Sequence, residues 1–222
     1  MLYVFLVAAV LIMVGELADK SQLLALVLAT RYKAWQVLAG IFAATFVVHF
    51  FTALVGQWLG ASIPQNLLPW LSGLLFIGFG VWTLRGDHVE ESAADRGAGR
   101  FGPVLATAVA FFFAELGDKT QIMTLTIAAD PGSALLSYLK QAGPTVNSWI
   151  QALGTPGTIT AMQQFWAVTL GSTIGMVIAD AVAILVGRLL GRNLPELLLR
   201  RISGAVFILF GVLTVSSTFV GR

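Results

Sequence analysis

Two nearly identical charged segments lie inside long apolar runs of this 222-residue chain. The first reads Glu-Leu-Ala-Asp-Lys-Ser-Gln over residues 16–22, and the second reads Glu-Leu-Gly-Asp-Lys-Thr-Gln over residues 115–121. Charged side chains are costly in an apolar environment, and a protein retains them there mainly for function. Because the pattern occurs twice, we expect the two segments to form one site from two halves.

The composition argues against a soluble globular protein. Hydrophobic residues make up 57% of the chain, charged residues make up 11%, and the mean hydropathy is +0.86. These values are typical of a protein that crosses a membrane several times. Cysteine is absent, which excludes disulfides and thiolate metal sites. The sequence pI of about 9.2 fits the basic loops of a membrane protein, so no nucleic-acid partner is predicted.

Six apolar runs are long enough to cross a bilayer, since a spanning helix needs about 20 residues. The first and fourth runs are longer than required, which predicts that they tilt or are locally broken near their polar centres. The first run is interpreted as a retained helix because it lacks the basic start of a signal peptide. The six runs cover approximately residues 2–30, 36–58, 66–84, 103–129, 165–187 and 197–219.

The two halves of the chain are related as a repeat. The charged motifs align at an offset of 99 residues, and the two runs after each motif align at an offset of 131, which pairs Gly40 with Gly171 and Pro64 with Pro195. Three helices per repeat is an odd number, so the second copy enters the membrane from the opposite side. The predicted fold is an all-α integral membrane protein with six transmembrane helices arranged as two inverted three-helix repeats.

The predicted organisation is a first three-helix repeat at 1–84, a cytoplasmic linker at 85–102 and a second three-helix repeat at 103–222. The second repeat carries an extracytoplasmic insertion at about 130–165, which accounts for the difference between the two offsets. Basic residues concentrate on the cytoplasmic side of membrane proteins. This rule predicts that both termini are extracytoplasmic, with only Lys140 and Arg222 on the outer side. The basic residues assigned to the cytoplasmic side are Arg31, Lys33, Arg85, Arg96, Arg100, Arg188, Arg192, Arg200 and Arg201.

The carboxylates and amides of the two motifs form a set of hard oxygen donors. Residues three and four apart on a helix share a face, so the polar residues of each motif are expected to cluster. Oxygen ligands suit Mn²⁺, Ca²⁺ or Mg²⁺ and do not select soft metals. A zinc or copper site is not expected, because only one histidine lies within a predicted span. The candidate cation ligands are Glu16, Asp19, Glu115, Asp118, Gln22 and Gln121.

The formal charge of this site indicates that cations and protons compete for it. Four carboxylates and the two lysines, Lys20 and Lys119, give a charge of −2, which one divalent cation or two protons would neutralise. Metal binding requires ionised acids and therefore releases protons. The alternative is that the glutamate and lysine of each motif form structural i,i+4 ion pairs. Such pairing needs only one acid per motif, whereas each motif has two. The lysines are also candidate auxiliary or proton-relay residues.

Four further polar groups are auxiliary candidates. Asp180 and His49 lie within predicted spans and occupy equivalent positions at the 131-residue offset. Each is a candidate proton relay or additional ligand. The hydroxyls of Ser21 and Thr120 are candidate auxiliary ligands, although hydroxyls in helices more often bond to the backbone one turn back.

The duplicated motif resembles that of a known family of cation antiporters, which includes Golgi manganese/calcium transporters, their chloroplast relatives and bacterial manganese exporters. The family pattern is Glu-x-Gly-Asp-Lys/Arg-Thr/Ser, present twice in a six-helix protein. The second copy here, residues 115–120, matches fully, whereas the first has Ala18 in place of glycine. The resemblance covers the chain apart from the linker and the insertion. The acids that it implies as the cation site are Glu16, Asp19, Glu115 and Asp118.

The resemblance implies a bacterial member that exports Mn²⁺, with Ca²⁺ as the other candidate, in exchange for protons. We therefore expect a multi-pass protein of the bacterial inner membrane that works by alternating access. No permanently bound cofactor is expected, since the cation and the protons are transported substrates and the lipid bilayer is the partner. The sequence is compatible with a homo-oligomer and does not specify one. Three alternatives remain: an intramembrane metal-dependent enzyme acting on a lipid, a passive cation channel, and an exporter of organic cations. The enzyme lacks an evident nucleophile.

Overall fold

The computed structural model describes residues 1–17, 19–64, 66–85, 102–131, 148, 152–153, 159–190 and 196–220. Residues 86–101 of the predicted linker, most of the predicted insertion, Ala18 and the side chain of Lys20 lie outside this description. Within the described ranges the regular secondary structure is α-helical. The helices are α1 (Leu2–Gly15), α2 (Lys20–Arg31), α3 (Ala34–Ser62), α4 (Leu68–Arg85), α5 (Pro103–Glu115), α6 (Lys119–Ala129), α7 (Ala161–Leu190) and α8 (Glu196–Val220).

Four of these helices, α3, α4, α7 and α8, are long and apolar enough to cross a membrane. They coincide with the second, third, fifth and sixth predicted runs, so these four predictions are confirmed. On α3, Trp35 and Trp58 are both largely exposed. Their separation of 23 residues corresponds to about 35 Å of helix, close to the thickness of a bilayer core, and tryptophan favours the membrane interfaces.

The first and fourth apolar runs each form two short helices, and a charged motif lies at each junction. The first run is divided between α1 and α2, and the fourth run is divided between α5 and α6. The expectation of a local break is confirmed, whereas the premise that each motif lies on one continuous helical face is wrong. In the fourth run the physical reason is visible, because Gly117 has a φ of +79°, a conformation that glycine adopts without steric cost.

Each broken helix packs against the long helix of the other half of the chain. The pair α1 and α2 lies along α7, and the pair α5 and α6 lies along α3. Small residues permit this close approach. A Cβ atom at Gly175 of α7 would collide with the backbone of Ala9, and one at Gly60 of α3 would collide with the backbone of Ala129. Helices α4 and α8 pack against each other.

The two long central helices, α3 and α7, are antiparallel. The side-chain amide of Gln57 near the end of α3 donates to the carbonyl of Ala161 at the start of α7, with an N···O distance of 2.6 Å. The rings of Phe50 and Phe165 pack edge-to-face with centroids 5.1 Å apart. Because α1 follows the direction of α7, and α5 follows that of α3, the two broken helices also run in opposite directions.

Two apolar clusters fill the interior, and the charged motifs lie between them along the chain. One cluster contains buried residues of α1 and α6, including Ile12 and Met123, together with Phe76 and Phe207. The other contains buried residues of α2 and α5, including Leu28 and Phe111. In both runs the motif therefore separates a helix of one cluster from a helix of the other.

Candidate cation site

The four motif acids are buried and the structure brings acids of both halves together. Glu16, Asp19, Glu115 and Asp118 are each at most 4% exposed. Carboxylate oxygens of Glu16, Asp19 and Asp118 lie within 4.8 Å of one another. Asp118 comes from the second half of the chain, so this cluster is built across the two halves. Its composition of carboxylate oxygens is suited to a hard divalent cation.

The two glutamates have matching hydrogen bonds. Ser21 Oγ donates to Glu16 Oε2 at 2.5 Å, and Thr120 Oγ1 donates to Glu115 Oε2 at 3.0 Å. These hydroxyls bond to carboxylates five residues earlier, which the helix breaks permit, and not to the backbone one turn back. The second oxygen of each glutamate, Oε1, has no hydrogen-bond partner among the residues that the structure describes. The hydroxyls therefore hold each glutamate by one oxygen and leave the other available for a ligand.

An ion pair links the two motifs. The Nζ atom of Lys119 lies 2.7 Å from Oδ2 of Asp19, and both side chains are buried. The alternative of an i,i+4 pair between Glu115 and Lys119 is wrong, because the break after Glu115 lets Lys119 bond to the opposite half. Breaking a buried ion pair by removing one partner costs about 3–5 kcal/mol. The pair therefore fixes the relative position of the two halves at the site.

The two candidate glutamine ligands differ in position. Gln22 is buried beside the aspartate of the first motif. The side-chain oxygen of Gln121 instead accepts a hydrogen bond from the backbone N–H of Gly117 at 2.8 Å. In this structure Gln121 therefore stabilises the second helix break. Its role as a cation ligand stays a prediction, as does that of Gln22.

The two auxiliary intramembrane groups, His49 and Asp180, have different surroundings. His49 Nδ1 and Thr124 Oγ1 are 3.0 Å apart and buried. Asp180 is fully buried, and its charge interacts with those of Asp19, Glu16 and Glu115. Thr124 was not among the predicted site residues, although its position one turn after Thr120 on α6 was a signal that it faces the same interior.

The chain is similar in sequence to known transporters. The pattern of the GDT1 family, described as a divalent cation/proton antiporter, matches residues 4–91 and 158–221. A candidate manganese exporter of Vibrio cholerae is 32% identical over 203 residues, covering 90% of this chain and 84% of that protein. A GDT1-like protein of Synechocystis is 24% identical over 96% of this chain and 97% of its own length. GDT1-like protein 4 of Arabidopsis thaliana is 24% identical, with coverage of 90% and 89%.

No solved structure matches the chain. The family match extends over more than half of the residues, and the relative from Vibrio cholerae covers most of both chains. The alternative of a lipid-modifying enzyme is thereby excluded, since the family consists of transporters. With its apolar spanning helices, this multi-pass membrane protein is a cation transporter and belongs to the GDT1 family of divalent cation/proton antiporters.

Proposed function

We propose that this protein exports Mn²⁺ from a bacterial cytoplasm in exchange for protons, with Ca²⁺ as the second cation of the same site. The observation that carries the proposal is the buried cluster in which oxygens of Glu16, Asp19 and Asp118 lie within 4.8 Å of one another. A cluster of this kind neutralises either by binding a divalent cation or by taking up protons. The name of the Vibrio cholerae relative favours Mn²⁺ as the exported ion.

The ligands of the cation are proposed to be the four motif acids. Glu16 belongs to the three-acid cluster, and Glu115 is proposed to join it when a cation binds, since the Oε1 atom of each glutamate has no hydrogen-bond partner among the described residues. Mn²⁺ and Ca²⁺ both accept carboxylate oxygens, and Ca²⁺ tolerates a larger and more flexible set of ligands. The Ser21 and Thr120 hydroxyls orient the glutamates, and orienting partners of this kind strongly influence metal affinity.

Alternating access is proposed to follow from an inverted repeat. The opposite directions of the two broken helices and their packing against the long helix of the other half support this architecture. The apolar clusters on either side of the motifs act as the two barriers, of which one opens at a time. In this scheme residues 1–84 and 103–222 form the two repeats, both termini are extracytoplasmic, and the protein lies in the bacterial inner membrane.

The proposal is tested by transport into proteoliposomes that contain a pH-sensitive dye. Addition of external Mn²⁺ is expected to produce metal uptake together with alkalinisation of the lumen, because protons leave as the metal enters. Parallel experiments with Ca²⁺ and Mg²⁺ rank the cations. Protein-free liposomes are the first control, and Asp118→Asn, which removes one charge from the cluster, is the second.

Two results would contradict the proposal. Metal uptake that is independent of an imposed pH gradient and does not saturate would indicate a passive channel. Wild-type uptake by Asp118→Asn would show that the cluster does not bind the transported ion.

A further inference from the structure

The interior of the protein holds a fifth carboxyl group that belongs to neither motif. Asp180 lies on α7 and has no exposed surface. Neither of its carboxylate oxygens has a hydrogen-bond partner in the described part of the chain. A buried carboxylate without hydrogen bonds is costly while it is ionised, so such a group either takes up a proton or binds a cation.

The packing of α7 puts Asp180 at the level of the first helix break. Above this level, Gly175 touches the backbone of Ala9 in α1, and below it, Gly187 touches the side chain of Leu26 in α2. Asp180 lies between these two contacts, and the break lies between Ala9 and Leu26. The electrostatic interactions agree, since the charge of Asp180 interacts with those of Asp19, Glu16 and Glu115.

The equivalent position in the other half is occupied differently. His49 replaces Asp180 at the 131-residue offset. Its Nδ1 lies 3.0 Å from Thr124 Oγ1, whereas its Nε2 has no hydrogen-bond partner among the described residues. At the 99-residue offset the counterpart of Thr124 is Ala25, which has no polar side-chain atom. The first-half histidine therefore contacts a hydroxyl of the second half, whereas the first half has no hydroxyl at the equivalent position for Asp180.

The ion pair between the motifs lowers the net negative charge that the motif acids offer a cation, because Lys119 Nζ lies 2.7 Å from Asp19 Oδ2. A carboxylate at position 180, whose charge interacts with that of Asp19, adds negative charge to the same site.

We propose that Asp180 is a direct ligand of the transported divalent cation, which makes the cation site asymmetric, with three acids from the second half of the chain and two from the first. This inference rests on the proposed function, because it concerns the same site. It differs in assigning cation binding to a residue outside the duplicated motif.

The test is Mn²⁺ binding to the purified protein in nanodiscs, followed by loss of the electron paramagnetic resonance signal of free Mn²⁺ at one fixed pH. Asp180→Asn keeps the shape of the side chain and removes its charge, and we expect its Kd to rise at least tenfold. Ser172→Ala is the matched control, since Ser172 is buried on the same helix more than two turns away. Its Kd is expected to equal that of the wild type.

A stability measurement separates a ligand from a structural residue. Without metal, Asp180→Asn is expected to melt at the wild-type temperature or above it, because the substitution removes a buried charge. With saturating Mn²⁺ its gain in melting temperature is expected to be smaller than that of the wild type. Asp180→Ser is a second, smaller variant with the same expectations. If neither variant folds, Asp180 belongs to the fold and the inference is overturned.

The remaining outcomes distinguish the inference from the proposed function. If Asp180→Asn binds Mn²⁺ with wild-type affinity while Glu16→Gln does not, the inference fails and the motif site stands. If the wild-type protein binds neither Mn²⁺ nor Ca²⁺, both fail together.

Discussion

The two helix breaks contain nearly the same residues and have different backbones. In the first, the chain continues beyond α1 in a tight turn, with Glu16 in helical geometry and the N–H of Leu17 bonded to the carbonyl of Val14. In the second, α5 ends at Glu115, Leu116 is extended and Gly117 has a positive φ. The side chains are nevertheless arranged alike, since a hydroxyl five residues later binds each glutamate.

The two breaks therefore share the side-chain contacts of the motif and differ in backbone conformation. Each glutamate has a hydroxyl partner, although the three-acid cluster contains Glu16 and not Glu115. Among the described residues, the glycine with a positive φ lies in the second half. An ion pair between Lys119 and Asp19 connects the two halves at the site. Mutations can therefore test which properties the halves share and which they do not.

The largest effect is expected from the glutamates. Glu16→Gln and Glu115→Gln each remove a buried negative charge from the cation site, so we expect transport to fall at least ~100-fold in both, equivalent to about 3 kcal/mol. Initial rates of Mn²⁺ uptake into proteoliposomes provide the measurement. Equal losses would support equivalent glutamates. A variant that retains wild-type transport would assign its glutamate to structure alone.

The next largest effect concerns the ion pair between the halves. Asp19→Asn leaves the Lys119 ammonium buried without its partner, and we expect unfolding to become easier by about 3–5 kcal/mol. The double variant with Lys119→Met is expected to recover most of this loss, since both charges are then removed. Chemical unfolding in nanodiscs measures both. An additive double variant would mean that the pair does not couple the halves.

The hydroxyls are expected to have smaller and equal effects. Ser21→Ala and Thr120→Val each remove a hydrogen bond to a carboxylate, which contributes about 1.5–3 kcal/mol. Unfolding free energies of the two variants should therefore agree, and Thr120→Ser should resemble the wild type. A difference of more than ~1 kcal/mol between the first two variants would show that hydrogen bonds to charged groups act unequally in the two halves.

The smallest effect is expected at the backbone of the second break. Gly117→Ala forces a side chain into the left-handed region, which costs about 1–2 kcal/mol. No described atom beyond the neighbouring residues of the chain lies within 4 Å of the new Cβ, so the cost arises from the local backbone and not from tertiary packing. Gly78→Ala is the matched control, because Gly78 also has open space but lies inside the helix α4. Thermal unfolding should distinguish the two, and equal melting temperatures would remove the special role of Gly117.

The sequence predicted the membrane class, four complete spans and the meeting of the two motifs. These follow from apolar length and from repetition, which are properties of the composition and order of residues. It also predicted that the first and fourth runs are too long to be simple spans. The position of each break was harder to predict, because Leu17 and Lys20 favour helices and only Gly117 signals an interruption.

The contacts between the halves could not be predicted from the motif alone. Helical spacing favoured a bond between Glu115 and Lys119, but the break changes the direction of the chain and Lys119 pairs with Asp19. The preference of α1 for α7 depends on tertiary packing, which acts over long sequence distances. A signal for it existed in the glycines of α7, including Gly171 and Gly175, whose spacing marks one face for close approach.

The packing of α1 and α2 against α7 has a consequence for biosynthesis. Residues are added from the N-terminus at ~5–20 per second, and roughly 130 residues separate Arg31 from Ala161, so α7 emerges about 7–26 s after α2. During that interval the acids of the first motif lack their native helix partner, in a membrane where charge is costly. The second half of the chain therefore acts as the assembly partner that completes the insertion of the first.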